Sequence, residues 1–201
     1  MCGVLAMAFT NFDTKEINCK VIYVGPAGAG KTANLRSIYT STSSEIRSGL
    51  LELSEQEGPT RFFDFLPVSL GHVRDFHVKL HIFTMPRNTF FESVSDIILR
   101  GVDGYVFVAD SRVESMADNI ESLLELKKLL ADFGMNPSEM PRVIQYNKRD
   151  VKDAVPLEIM RQELNRMSSP EQEAIAIQSI GTMETLQLMA EGVLKKLASQ
   201  K

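Results

Sequence analysis

Val21-Ile22-Tyr23-Val24 runs directly into Gly25-Pro26-Ala27-Gly28-Ala29-Gly30-Lys31-Thr32, and the stretch from Ala33 to Tyr39 continues with apolar residues at Leu35, Ile38 and Tyr39. A buried strand, a glycine-rich loop and the start of a helix, in that order, are what a phosphate-binding loop requires. Backbone N–H groups along the loop, contributed by Gly25, Ala27, Gly28, Ala29, Gly30, Lys31, Thr32 and Ala33, can wrap phosphate oxygens at the helix N-terminus. Gly25, Gly28 and Gly30 permit the backbone angles and the close approach of main chain to ligand. Lys31 brings a point charge to the β- and γ-phosphates, and the Thr32 hydroxyl is placed to bind Mg²⁺.

A second apolar strand, Val143-Ile144-Gln145-Tyr146, ends in Asn147-Lys148-Arg149-Asp150. The Asp150 carboxylate can accept from both N1–H and the 2-amino group of guanine, whereas adenine offers neither donor. Hydrogen bonds to charged groups are worth roughly 1.5–3 kcal/mol each, so two of them separate the purines by orders of magnitude. Asn147 would tie the base loop to the phosphate loop, and the Lys148 stem can cover the ring. A plain polar turn after a strand needs only the Asn and the Asp. The order of the two motifs, phosphate loop first, is that of a guanine-nucleotide domain.

The rest of the chain fits an α/β architecture. Its 201 residues suit one domain, and a net charge of −4 gives no basic footprint for nucleic acid. No segment has the apolar length of a membrane span. Cys2 and Cys19 are too few for a disulfide scaffold and fit a reducing cytosol. Neither a secretory signal nor a lipidation signal is expected at the N-terminus, and Met7 is an alternative start. Strands are expected at 19–24, 61–67, 76–83, 104–109, 142–146 and 173–176, and helices at 31–41, 89–100, 116–133, 156–166 and 182–198. That alternation predicts a mostly parallel sheet of six or seven strands with helices on both faces. Gly71 lets the second and third strands pair as an antiparallel hairpin. Residues 1–12 read as an irregular extension, and 40–60 as a long functional loop.

With both motifs in hand, the chain resembles the Ras-like small GTPases, and among them the bacterial mutual gliding-motility protein A (MglA) family. The resemblance runs from about Phe9 to Leu197. It is carried by Glu16-Ile17-Asn18-Cys19-Lys20, by Thr60 through Pro67, by Gly101 through Ser111 and by Val143 through Asp150. It implies a GTP/GDP-binding switch with Mg²⁺, controlling cell polarity and gliding motility from the cytoplasm or a cell pole. It also implies a Roadblock-type activating protein and a polar response-regulator-like effector as partners. Thr60 matches the switch-I threonine that senses Mg²⁺ and the γ-phosphate, and Ala176 matches the residue whose backbone N–H reads guanine O6. Asp64 either helps the Mg²⁺ shell, since the usual carboxylate ending strand three is Thr84 here, or is a solvated strand-end acid.

Four positions depart from the family pattern. Where it has Thr-x-Pro-Gly-Gln, this chain has Thr84-Met85-Pro86-Arg87-Asn88. Arg87 keeps an N–H for the γ-phosphate but restricts the backbone, and Asn88 is a methylene shorter than the glutamine that orients water. Pro59 replaces an arginine that acts in cis, a group worth about 10³–10⁵ in rate. Ala27 adds a side chain where a glycine is preferred. Together these imply retained nucleotide binding with slow hydrolysis, or a silent GTP-bound scaffold that recruits partners without cycling. Arg87 or Arg61 could instead swing in to replace the missing arginine. A phosphate-loop kinase or ATPase conflicts with Asn147 to Asp150.

Other residues have plainer readings. His72, His77 and His81 read as polar or half-buried strand residues rather than metal ligands. Phe62, Phe63, Phe65, Phe90 and Phe91 border both switch segments, about 50–61 and 84–95, and read as core or as a partner surface. Leu123, Leu124, Leu126, Leu129 and Leu130 give apolar positions at helical spacing, as in a helix packed on a sheet.

Overall fold

A computed structural model of the chain describes residues 9–54, 61–85 and 98–199. Eight strands form one mixed sheet: β1 (Phe9–Asn11), β2 (Glu16–Val24), β3 (Leu51–Ser54), β4 (Arg61–Val73), β5 (Phe76–Thr84), β6 (Gly104–Asp110), β7 (Arg142–Asn147) and β8 (Glu171–Glu173). The helices described along their whole length are α1 (Lys31–Ser41), α2 (Met116–Asp132), α3 (Leu157–Leu164) and α4 (Thr182–Ser199). Strand order is β3-β4-β5-β2-β6-β7-β8, with β1 pairing the start of β2. From β5 to β8 the pairs are parallel, while β3, β4 and β1 pair antiparallel. This is the doubly covered α/β sheet that the alternation of elements predicts.

The period of two along the strands sorts side chains between two cores. Val21, Tyr23, Val106, Val108 and Val143 face α1 and α4, whose Leu35, Ile38, Leu186, Met189 and Val193 complete that layer. Ile22, Val24, Tyr105, Phe107, Ile144 and Tyr146 face the other way, onto Leu123, Leu126 and Leu130 of α2 and Met160 and Leu164 of α3. Central β6 is buried along its entire length because both faces and both edges are covered.

Five expectations shift. Phe9–Asn11, inside the stretch read as irregular, pairs with Glu16–Asn18, and the Asn11 side chain closes the turn by accepting from the Asp13 and Thr14 amides. Leu51–Ser54, inside the expected loop, adds the edge strand β3 on β4. These two short strands raise the count to eight; neither is long enough to show a periodic pattern. The β4–β5 hairpin forms, but its turn lies at Arg74 and Asp75, with Arg74 at φ 54°. Gly71, at φ 84°, instead sits where the register shifts between Ser69 and Gly71. The last strand spans Glu171–Glu173 rather than 173–176, because the chain turns into a 3₁₀ turn at Ala176–Gln178. The helix expected at 156–166 begins after Pro156, which presets the first turn, and stops at Leu164, where Asn165 caps it. Of the helix expected at 89–100, only Ile98 and Leu99 lie in described helix; residues 86–97 are outside the described residues.

Candidate nucleotide-binding site

The C-terminal ends of β2, β6 and β7 lie side by side, where parallel α/β sheets bind ligands. The chain leaves β2 through Gly25 at φ 143°, and a Cβ there would strike the Val108 carbonyl of β6. Gly30 adopts φ 100°, and a Cβ there would strike the Asn147 side-chain amide. Ala27 and Gly28 stand exposed at the crest of the loop, and Ala29 is buried beneath it. Helix α1 starts at Lys31 with no side-chain cap on its first N–H groups, an arrangement suited to an anion at its N-terminus. The Lys31 ammonium folds back over the loop, donating to the carbonyls of Gly25 at 2.8 Å and Pro26 at 2.9 Å. Ala33 follows in the first helical turn.

Oxygen ligands gather beside that loop. The Thr32 hydroxyl donates to Asp64 Oδ2 at 2.7 Å, and the Thr84 hydroxyl donates to the same oxygen at 3.0 Å while accepting the Asp64 amide at 2.7 Å. Asp64 is therefore half-buried and held from two sides, unlike a solvated strand-end acid. Asp64, on β4, thus lies beside Thr84, the last residue of neighbouring β5. A hydroxyl and a carboxylate are the hard oxygen donors that Mg²⁺ selects. Thr60, Pro59, Arg87 and Asn88 lie outside the described residues, as do Phe90, Phe91 and Met7.

On the base side, Asn147 bridges two loops. Its Nδ2 donates to the Ala29 carbonyl at 2.7 Å, and its Oδ1 accepts the Ala176 amide at 2.9 Å. One side chain thus fixes the phosphate loop to the 176–178 turn. Lys148 adopts φ 64° and its ammonium reaches Asp110 Oδ2 at 2.7 Å, while Asp150 is exposed at the same turn. Asp110, the last residue of β6, also takes the Arg112 guanidinium on both oxygens, at 3.1 and 2.7 Å. Burial alone would push its carboxyl up, but hydrogen bonds from Arg112 and Lys148 outweigh that and hold it below the usual carboxylate range.

Asp110 and Arg112 escape a motif-based reading because they lie outside both nucleotide motifs, and Asp110 meets Lys148 only through the pairing of β6 with β7. The one signal in the sequence is an acid ending a wholly apolar strand. The histidines have ordinary partners: His77 Nε2 bonds the Ser69 hydroxyl and His81 Nε2 the Asn18 side chain. Phe63, Phe65 and Phe83 cluster half-buried on β4 and β5, with the Phe65 and Phe83 ring centroids 4.6 Å apart.

No protein-family model matches the chain. It is 46% identical over 191 residues to the mutual gliding-motility protein MglA of Myxococcus xanthus (strain DK1622), an alignment that covers 95% of this chain and 98% of that protein. On that likeness the chain belongs to the MglA family of Ras-like small GTPases.

Proposed function

We propose that this protein is a guanine-nucleotide switch that uses Mg²⁺, hydrolyses GTP slowly, and acts in cell polarity and gliding motility. The observation that carries this reading is Asn147, whose amide joins the Ala29 carbonyl to the Ala176 amide at 2.7 and 2.9 Å. Phosphate loop, base-reading turn and the candidate O6 donor are thereby one unit. In this reading the N–H groups from Gly25 and Ala27 through Ala33 hold the phosphates, with Lys31 as the charge. Asp150 selects guanine, the Lys148 stem covers the ring, and the Ala176 N–H is withdrawn from Asn147 to serve O6 or shared between the two. Thr32 and Thr60 bind Mg²⁺, which when bound neutralises charge on the β- and γ-phosphates; Asp64 orients its shell.

Slow turnover follows from Ala27, Pro59, Arg87 and Asn88. Asn88 positions water less well than glutamine, Arg87 stiffens the segment meant to follow the γ-phosphate, and Pro59 supplies no guanidinium. The same four residues favour a second reading, a GTP-loaded scaffold that recruits partners without cycling. Either form is expected to meet a Roadblock-type regulator and a polar effector. Among the described residues no helix is long and apolar enough to cross a membrane.

The nucleotide released from freshly purified, denatured protein tests this directly. GDP supports a cycling switch, intact GTP supports the scaffold, and ATP overturns the assignment of the base.

A further inference from the structure

Three fully buried polar side chains from three elements meet beneath the phosphate loop: Asn34 of α1, Gln145 of β7 and Thr185 of α4. Asn34 and Gln145 exchange two hydrogen bonds, Asn34 Nδ2 to Gln145 Oε1 and Gln145 Nε2 to Asn34 Oδ1, each 2.8 Å. The second N–H of Gln145 reaches the Thr185 hydroxyl at 2.8 Å, which itself donates to the Gly181 carbonyl at 2.6 Å. The second N–H of Asn34 reaches the Gly30 carbonyl at 3.0 Å. Both amides thus have all their donors engaged. Such a cluster does not answer a need for stability, because a matched apolar pair in the same space is nearly neutral.

Its position suggests another purpose. The Gly30 carbonyl shares its peptide group with the Lys31 N–H, and in a trans peptide the two point in opposite directions. The Asn34 backbone amide donates to this carbonyl at 3.0 Å as the first bond of α1, and the Asn34 side chain adds a second donor that fixes it toward the interior, so the Lys31 N–H is aimed outward, into the phosphate site. Gln145 and Asn147 are two apart on β7 and so share a face. Asn147 holds the Ala29 carbonyl directly, and Gln145 holds the next one, Gly30, through Asn34. One strand, ending in the base-reading turn, grips two successive carbonyls of the phosphate loop.

We propose that Asn34, Gln145 and Thr185 are positioning residues that set the Gly30–Lys31 peptide for the β-phosphate of the nucleotide. The proposal rests on the guanine-nucleotide reading given above. It assigns the buried amides to ligand affinity rather than to folding, and it makes that effect specific to the β-phosphate.

The test is the double variant Asn34→Leu/Gln145→Met, which fills the same space with apolar side chains. Its affinities for GDP and GMP are measured by competition against a fluorescent guanine nucleotide, alongside its thermal midpoint. The expected result is a midpoint close to wild type, GMP affinity within about twofold, and GDP affinity weaker by about tenfold, the scale of one well-placed hydrogen bond. A folded double variant in which GDP and GMP weaken equally, or in which neither weakens, overturns the proposal. Should the double variant fail to fold, Thr185→Val carries the test by removing only the outermost acceptor. A preference for GDP over GMP reduced about two- to threefold supports the proposal, and an unchanged preference overturns it. Wild-type protein that binds neither nucleotide would instead overturn the underlying guanine reading, so the two failures are distinct.

Discussion

The Thr32 hydroxyl and the Asp64 carboxylate are joined by a 2.7 Å hydrogen bond, although they come from α1, which follows β2, and from β4, two positions from β2 in the sheet. The bond places the candidate Mg²⁺ ligand of the phosphate loop against the acid proposed to orient the Mg²⁺ shell. Removing that acid should weaken the hold on Mg²⁺ without touching the base. Asp64→Ala is therefore expected to release fluorescent GDP roughly tenfold faster in Mg²⁺, since a charge-assisted hydrogen bond contributes about 1.5–3 kcal/mol. In EDTA the difference from wild type should vanish. Equal acceleration in both buffers would show that Asp64 acts on the fold and not on the metal.

The Lys148 ammonium is anchored on Asp110 Oδ2, so the lysine stem proposed to cover the base depends on a residue outside the motif. Asp110→Asn keeps the shape but removes the charge that holds both Lys148 and Arg112. Dissociation of GDP from this variant is expected to quicken by about tenfold, in line with the loss of a charge-assisted bond. Stopped-flow release of labelled GDP checks it; an unchanged rate would mean that Lys148 does not need its anchor.

Hydrolysis should respond to restoring what the family pattern supplies. The double variant Pro59→Arg/Asn88→Gln is expected to hydrolyse GTP at least about tenfold faster than wild type in a single turnover, given an arginine effect of about 10³–10⁵ when fully aligned. Arg87→Ala and Arg61→Ala should leave the slow wild-type rate unchanged. A fall in either would show that one of these arginines already stands in for the missing one.

Stability should depend on pH through Asp103. This acid is 6% exposed and accepts the Lys20 amide at 2.7 Å. Burial pushes its carboxyl up from 3.8 to about 6, more than the bond from Lys20 pulls it down. The folded state then binds the proton more tightly than the unfolded chain, so stability is highest below pH ~4 for this group and declines as pH rises through ~6. Asp103→Asn, which still accepts from Lys20, should be more stable than wild type at pH 7, by at most about 3 kcal/mol for a shift of ~2 units. The gain should shrink toward zero near pH 4. Urea titrations at both pH values read it out, and a gain that is independent of pH would contradict the assignment.

The core makes a simpler demand. Phe107 is fully buried on the central strand, in the layer shared with α2 and α3. Phe107→Ala should cost about 3–5 kcal/mol by urea unfolding, through lost burial and a residual cavity. A loss below ~1 kcal/mol would mean that the layer collapses around the gap.

How much of this was legible in the sequence follows from how local each signal is. The phosphate loop and the Asn147–Asp150 turn are contiguous, each bounded by its own apolar strand, so residues, elements and order could be read together. Buried strands such as Gly104–Asp110 announce themselves as unbroken apolar runs. The edge strands Phe9–Asn11 and Leu51–Ser54 are too short for a period to register. At the last strand, Ala174-Ile175-Ala176 alternates like a half-buried strand, yet the two alanines are buried by the turn, and Ile177 beyond them is 80% exposed. The sequence around Asp64 carries no sign that Thr32 and Thr84 both donate to its one oxygen, because those residues come from other elements. Pairings such as Asn34 with Gln145, or Asp110 with Lys148, join residues far apart in the chain and leave no local pattern.

The measurement that bears most directly on the whole account is the binding of GDP and ADP to wild type and to Asp150→Asn, by calorimetry in Mg²⁺. Wild type is expected to take up GDP at one site and to show no detectable ADP, and Asp150→Asn to lose at least about a hundredfold in GDP affinity as two charge-assisted bonds go. Equal binding of the two nucleotides by wild type, or GDP affinity untouched by Asp150→Asn, would contradict it.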